Sequence, residues 1–190
     1  MIIKLKDLLT ENLDSEIEVL KKYMSPGGER SVEIDDVIKS LHAKKSKYKK
    51  ELEPIKGEVY RGTAYFKKDL KNLKLVKRDG RWLYLKISYN SKRSVQSFTH
   101  KEEVADKFAD LNAVSMYDTR VKGDISGVFI TKVDNSFVGN YKWLAKIGKE
   151  VGLKRNEQEV FHVGKKMNGV VKVDAMQLYG MWWKKELGIA

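Results

Sequence analysis

The stretch EQEVFHVGKKMNGVVKV, residues Glu157–Val173, carries the strongest fold signal in the chain. Its first part ends in β-branched and aromatic residues that favour a strand, and the dipeptide Asn168-Gly169 is typical of a tight turn between two strands. The stretch is therefore predicted to form a β-hairpin. Because alternate side chains of a strand share one face, Glu157 and Glu159 should project together. Such a pair indicates either a site or an exposed edge strand whose charges block pairing with another chain.

A lone arginine lies in the apolar-rich run Glu58–Phe66, which is predicted to be a strand. The alternation of side chains groups Arg61 with Val59, Thr63 and Tyr65. A guanidinium group cannot lose its charge, so an arginine in this setting needs an anionic partner. A bound phosphate would make it a binding residue, whereas a neighbouring glutamate would make it structural.

A strand is predicted to pass directly into a helix at Ser97-Phe98-Thr99. Thr99 and Glu102 fit a capping box, which gives Thr99 a structural role independent of any chemistry. No such role accounts for Ser97. The helix is predicted because Val104, Phe108 and Leu111 recur at helical spacing.

Taken in chain order, Val59-Tyr60-Arg61-Gly62, Ser97-Phe98-Thr99 and Glu157-Gln158-Glu159 resemble the motifs of the ADP-ribosyltransferases with an Arg-Ser-Glu triad. The small transferases that T4-like bacteriophages use against their hosts are the most similar in style. One departure is Ser-Phe-Thr in place of the commoner Ser-Thr-Ser. The resemblance implies an α+β fold, in which two packed, mostly antiparallel β-sheets surround an NAD cleft and N-terminal helices precede the strands.

The resemblance also implies roles for individual residues. Glu159 would hydrogen-bond the ribose of NAD and stabilise the positive charge that develops when nicotinamide leaves. Ser97 would orient Glu159, and Arg61 would hold the dinucleotide through its phosphate and ribose oxygens. The remaining NAD-binding positions implied by the motifs are Tyr60, Gly62, Phe98 and Thr99.

Glu157 bears on the acceptor. In the resembling enzymes Glu-x-Glu accompanies arginine acceptors, and a second carboxylate can take the proton that a guanidinium must lose as it attacks. The chain is therefore expected to modify arginine. The preceding turn, with Lys154 and Arg155, would recognise an acidic or phosphate-bearing acceptor surface. The structural alternatives are a screened surface charge for Glu157 and a solvated loop for the turn.

The composition indicates one globular domain, with a helical segment over residues 1–54 packed on a catalytic core over residues 55–190. With 190 residues, 42% of them hydrophobic and 34% charged, the chain is neither disordered nor membrane-spanning. It shows no secretory signal, so a cytoplasmic location is expected. There is no cysteine, and the three histidines form no metal-ligand pattern, so no metal is expected.

The net charge of +12 predicts acidic or nucleic-acid-associated partners. Together with this charge, the resemblance implies that the acceptor is a host protein of transcription or translation, with nucleic-acid contact through a basic surface. Two alternatives remain open at this point. One is ADP-ribosylation of nucleic acid itself. The other is a non-enzymatic nucleic-acid-binding module whose phosphate-contacting face is formed by Lys44, Lys45, Lys47, Lys49 and Lys50.

Overall fold

A computed structural model describes residues 15–16, 18–23, 31–44, 56–65, 70–117, 125–139, 159–177 and 187. Residues 15–16 and 18–23 are helical and are called the N-terminal helical segment. Two further helices are α1 (Val32–Lys44) and α2 (Glu102–Tyr117). The strands are β1 (Glu58–Tyr65), β2 (Leu70–Asp79), β3 (Trp82–Asn90), β4 (Val95–Thr99), β5 (Ile125–Lys132), β6 (Phe137–Val138), β7 (Glu159–Val163) and β8 (Lys166–Asp174), followed by a 3-10 turn at Ala175–Gln177.

The strands form one antiparallel sheet in the order β2-β3-β8-β5-β1-β4-β7-β6. The fold is therefore α+β, as predicted. The sheet has two arms, β2-β3-β8-β5-β1 and β4-β7-β6. Within the described residues the arms are joined at one position, where Tyr60 of β1 is opposite Thr99 of β4. By contrast, β1 pairs with β5 along its whole length.

We predicted two packed sheets, but the hydrogen bonds form one sheet. The single junction between β1 and β4 makes the strand order continuous. The two arms nevertheless share one hydrophobic core. Phe98 of β4 packs edge-on against Phe129 of β5, with ring centroids 6.2 Å apart. The same cluster contains residues of the first arm, such as Leu85 and Val171, and of the second arm, such as Val160. Burial of these large side chains is the main favourable term that holds the arms together.

The helices cover the other face of the sheet in two places. The N-terminal helical segment and α1 pack on the second arm, where Leu20 and Ile38 are buried against Phe161 of β7. Helix α2 packs on the first arm through Ala105 and Ala109, which lie against Val128 of β5. The two groups of helices thus lie on either side of the position where the two arms meet.

The predicted hairpin at Asn168-Gly169 is wrong. Both residues lie inside β8, and the chain turns earlier, at residues 164–165. Strands β7 and β8 are not neighbours, because β7 pairs with β4 and β6 whereas β8 pairs with β3 and β5. The turn therefore carries the chain from one arm of the sheet to the other.

The start of α2 also differs from the predicted capping box. The helix begins at Glu102, and the Thr99 hydroxyl accepts a hydrogen bond from the backbone N–H of Lys101 at 3.1 Å. Glu102 is the first helical residue, so its side chain is not placed to complete the box. Instead its Oε1 accepts a hydrogen bond from Nζ of Lys172 at 2.7 Å, which connects α2 to β8.

Candidate functional site

A cleft opens where β1 and β4 stop pairing. The two strands meet at Tyr60 and Thr99, and beyond that pair they separate. The cleft has a volume of about 390 Å³, which suits a small-molecule ligand. Its lining comes from β1, β4, β7, α2 and the N-terminal helical segment, and consists of Tyr23, Tyr60, Arg61, Gly62, Thr63, Ser97, Phe98, Thr99, Val104, Ala105, Phe108 and Glu159.

The guanidinium group of Arg61 bridges the gap between the separating strands. Its Nη1 donates a hydrogen bond of 2.6 Å to the backbone carbonyl of Ser97. Because Arg61 is half-buried, this contact offsets part of the cost of removing its charge from water. One partner of Arg61 is thus a carbonyl of the opposing strand, a kind of partner that the sequence interpretation did not include. The bond places a permanent positive charge in the cleft.

Glu159 is the first residue of β7 and lies opposite Thr99 of β4. Directly opposite residues of an antiparallel pair project to the same face, so the carboxylate lies on the side of the sheet covered by the N-terminal helical segment. The phenol hydroxyl of Tyr23 in that segment donates a hydrogen bond of 3.2 Å to Oε1 of Glu159. A carboxylate and a phenol from distant parts of the chain therefore meet in the cleft.

Helix α2 forms one wall, and its close approach depends on Gly62. A Cβ atom at this position would lie 1.9 Å from the carbonyl oxygen of Ala105 and 2.5 Å from the backbone nitrogen of Ala109. Only glycine fits such a contact. Val104 and Phe108 lie on the part of the helix that lines the cleft, and Phe108 is 41% exposed. They supply apolar surface for a flat or partly apolar ligand.

Burial and nearby carboxylates shift the pKa values of two side chains at the rim of the cleft, Tyr60 and His100. Burial, followed by the charges of Glu58 and Glu102, raises the pKa of Tyr60, so its phenol stays protonated at neutral pH. Its hydroxyl lies 3.4 Å from Oε2 of Glu58. Beside it, burial lowers the pKa of His100, whose Nδ1 lies 3.2 Å from the carbonyl oxygen of Glu58. Both groups are therefore neutral at pH 7.

Most of the predicted site residues come together in this cleft. Arg61, Ser97 and Glu159 line it, as do the four further NAD-binding positions, Tyr60, Gly62, Phe98 and Thr99. The predicted acceptor residues Glu157, Lys154 and Arg155 lie outside the described part of the chain, as do Lys45, Lys47, Lys49 and Lys50 of the alternative basic face.

Other lining residues were not predicted. Thr63 could have been inferred, because it shares a strand face with Arg61. Val104 and Phe108 were identified by helical spacing, but no role in the site was predicted for them. No sequence signal connects Tyr23 to Glu159, which lies 136 positions away.

The cleft combines charges of opposite sign with hydroxyl groups and apolar walls. Arg61 can attract a phosphate or another anionic group, and Glu159 can stabilise a positive centre. The arrangement suits a ligand that carries both an anionic group and a positively charged centre. Within the described residues no cluster of histidine and carboxylate side chains could hold a metal ion.

No protein-family model, no curated protein and no solved structure matches this chain. None of the described helices is both long enough and apolar enough to span a bilayer.

Proposed function

We propose that the protein is a mono-ADP-ribosyltransferase, which cleaves NAD and transfers the ADP-ribosyl group to an arginine side chain of a nucleic-acid-associated host protein. The observation that carries the proposal is the common cleft of Arg61, Ser97 and Glu159. These residues lie on three different strands and are far apart in the chain. They occur in the chain order of the Arg-Ser-Glu triad, and the other NAD-binding positions of the motifs, Tyr60, Gly62, Phe98 and Thr99, line the same cleft.

The chemistry assigns each side chain a task. NAD has an anionic pyrophosphate and a positively charged nicotinamide ring, which correspond to the charges of Arg61 and Glu159. When the bond between the ribose C1′ atom and the nicotinamide nitrogen breaks, the electron pair leaves with nicotinamide and positive charge develops on the ribose. The Glu159 carboxylate stabilises that charge, while Ser97 helps to position the ribose and the carboxylate.

The transfer step forms a bond between C1′ and a nitrogen of the acceptor arginine. That nitrogen must lose a proton, because the guanidinium group is protonated at ordinary pH. Glu157 is assigned as the base that takes the proton, and Lys154 and Arg155 are assigned to acceptor binding, on the sequence resemblance. Water can replace the arginine, in which case the product is free ADP-ribose.

The test is the transfer of label from NAD labelled in its ADP-ribose part to components of a bacterial lysate. Glu159→Gln should reduce label transfer and nicotinamide release by about a hundredfold or more, the usual effect of removing one preorganised electrostatic group. Glu103→Gln is the matched control, because Glu103 is exposed on α2 and does not line the cleft. A folded protein that releases no nicotinamide, or equal activity of the two variants, contradicts the proposal.

Digestion of the labelled material identifies the acceptor. Label removed by protease supports a protein acceptor, and label removed by nuclease shows that nucleic acid is the acceptor instead. Glu157→Gln then tests the arginine assignment. This variant should lose transfer to arginine while it retains slow release of nicotinamide, because water needs no proton removed from a guanidinium group. Full transfer by Glu157→Gln contradicts arginine specificity.

A further inference from the structure

The first arm of the sheet has a basic outer face on β2, β3 and β8, away from the shared core. Residues that lie opposite one another on the three strands form rows across this face. Lys77, Tyr84 and Lys172 form one row, and Lys74, Lys86 and Val170 form the next. We call this surface the basic face and define it by Lys74, Lys77, Tyr84, Lys86, Lys166 and Trp82. Lys74, Lys77, Lys86 and Lys166 are exposed, and Leu83, Leu85 and Ile87 between the outward residues of β3 are buried.

Two lysines of the basic face are directly opposite each other. Lys74 of β2 pairs with Lys86 of β3, an arrangement that destabilises a sheet by charge repulsion. Within the described part of the chain no acidic side chain pairs with either lysine. The acidic residues of the three strands are Asp79 and Asp174, at the far end beside Trp82, where Asp79 pairs with Lys77 at 2.9 Å and Asp174 with Arg81 at 3.7 Å. Among the described residues nothing offsets the repulsion between Lys74 and Lys86 at the centre of the face, and an anionic partner would relieve it.

Positive charge continues beyond the sheet at the opposite end. Lys166 lies opposite Asn90 at the end of β3. The adjoining turns contribute Lys92, Arg93 and Lys165, all exposed, and the Ser91 N–H donates a 2.8 Å hydrogen bond to the carbonyl of Lys165 that holds these turns together. Measured along β8, the row of Lys77 and the row of Lys166 are six residues apart, or about 20 Å. Lys172 lies in the row of Lys77 but is paired with Glu102 and Asp106, so it is not counted among the available cations. The exposed cations therefore form an extended track along the strands, long enough to contact several consecutive phosphates.

Aromatic rings share the face with the lysines. Nζ of Lys77 lies 5.2 Å from the ring centroid of Tyr84. The Arg81 guanidinium and Nζ of Lys172 each lie 4.8 Å from the ring centroid of Trp82. Arg81 is 67% exposed and its ion pair with Asp174 is 3.7 Å long, so it can move aside at little cost, whereas Lys172 is held by Glu102 and Asp106. Rings on an open sheet face provide stacking surfaces for unpaired bases, while the surrounding cations contact phosphates. An acidic protein would use the cations but would have no particular need for the rings.

We propose that the basic face binds single-stranded nucleic acid along β2, β3 and β8. The charge of the track matches the phosphate backbone, and Tyr84 and Trp82 supply the stacking positions. This inference does not rest on the transferase proposal. The face is made by different strands from the cleft residues Arg61, Ser97 and Glu159, and the two activities can be lost separately.

The test measures binding of a short fluorescein-labelled oligouridylate by fluorescence anisotropy over a range of salt concentrations. The double variant Lys74→Glu with Lys86→Glu should weaken binding about tenfold or more and reduce the slope of log affinity against log salt by about 1.4, because two phosphate contacts are lost. The matched control is Lys22→Glu with Lys56→Glu, which makes the same charge change at exposed positions elsewhere. An equal loss in the two double variants, or no loss in the first, overturns the proposal.

Two further variants separate stacking from charge and from misfolding. Tyr84→Leu should weaken binding about fivefold with an unchanged salt slope, and Tyr84→Phe should bind as the parent protein does. Lys74→Glu alone places a carboxylate opposite Lys86, so its stability towards urea should be maintained or increased while its binding falls. Poly-glutamate that displaces the oligouridylate as well as an unlabelled oligouridylate does would identify an acidic partner and overturn the assignment to nucleic acid.

Discussion

Tyr23 brings a phenol hydroxyl from the N-terminal helical segment to the Glu159 carboxylate, at 3.2 Å. A hydrogen bond to a charged acceptor contributes more than one between neutral groups, about 1.5–3 kcal/mol. It also fixes the direction in which the carboxylate projects. In the proposed transferase, Tyr23 is therefore a positioning residue for Glu159.

Tyr23→Phe removes this hydroxyl and retains the ring. We expect kcat for nicotinamide release to fall about tenfold with little change in KM, because Glu159 acts on the charge that develops after NAD has bound. Tyr60→Phe is the matched control, since Tyr60 also lines the cleft but directs its hydroxyl towards Glu58. If both variants lose kcat equally, the Tyr23 hydroxyl has no specific role. Steady-state kinetics over a range of NAD concentrations give both constants.

The sequence predicted Arg61, Ser97 and Glu159 as one site because each has a recognisable local context. One lies within an apolar strand, one at a passage from strand to helix, and one in a charged strand. Chain order then supplied the resemblance. Tyr23 has no such context, because its contact with Glu159 depends on how the N-terminal helical segment docks on the second arm. Docking is decided by packing, which local periodicity does not describe.

At the scale of elements, the sequence predicted α2 but not which of its faces is buried. Helical spacing identified Val104 and Phe108, whereas the buried positions are Ala105 and Ala109. Small side chains allow a helix to approach a strand closely, and Gly62 extends that contact from the side of β1. The larger apolar residues are thereby turned towards the cleft. Hydrophobicity alone could not predict this outcome, because the smallest residues set the distance.

Gly62→Ala tests this close packing. The added Cβ would meet backbone atoms of Ala105 and Ala109, which cannot move without displacing α2. We expect the free energy of unfolding to fall by about 3 kcal/mol, at the upper end of the effects of overpacking. Urea denaturation provides the measurement. Gly80→Asn is the control, because a Cβ there meets nothing within 4 Å and asparagine is among the residues that best tolerate the left-handed backbone conformation of Gly80, with φ of 57°. A loss for Gly62→Ala no greater than that for the control would contradict the packing argument.

The error at Asn168-Gly169 has a similar cause. The dipeptide favours a turn, but a Cβ at Gly169 would lie 2.6 Å from both the carbonyl oxygen of Ile130 and the ring of Phe129. Glycine is needed there for the contact between β8 and β5. Asn168 meanwhile accepts a hydrogen bond from the Ser88 hydroxyl at 2.8 Å. The dipeptide Asn-Gly can indicate either a turn or a close contact between strands. Only the strands that pair around it distinguish the two cases.

At the scale of the whole molecule, the two arms share a core in which His162 is buried. Its ring is 5.1 Å from that of Phe137 and 6.3 Å from that of Phe98. Burial lowers the pKa of His162 more than the charge of Asp134 raises it. Burial also lowers the pKa of His100, beside the junction of the two arms. Both histidines are consequently neutral in the folded protein at pH values where an unfolded histidine is already protonated.

The sign of the resulting pH dependence follows from proton binding. Below pH about 6.5 the unfolded chain binds protons that the folded protein does not, so acidification favours unfolding. Stability should therefore be nearly constant between about pH 7.5 and pH 9 and should fall as the pH decreases from about 6.5 towards the lowered pKa values. His162, which is buried, can contribute a slope of at most about 1.4 kcal/mol per pH unit, and His100, which is partly exposed, contributes less. His162→Gln and His100→Gln should each reduce that slope, and the double variant should leave stability nearly flat between about pH 7 and pH 5.5.

Urea unfolding at several pH values measures the slope directly. Each variant is compared with itself at pH 8, so any loss of packing at His162 cancels. A double variant that keeps the parent slope would show that other groups, such as carboxylates stabilised by the basic surface, cause the acid sensitivity.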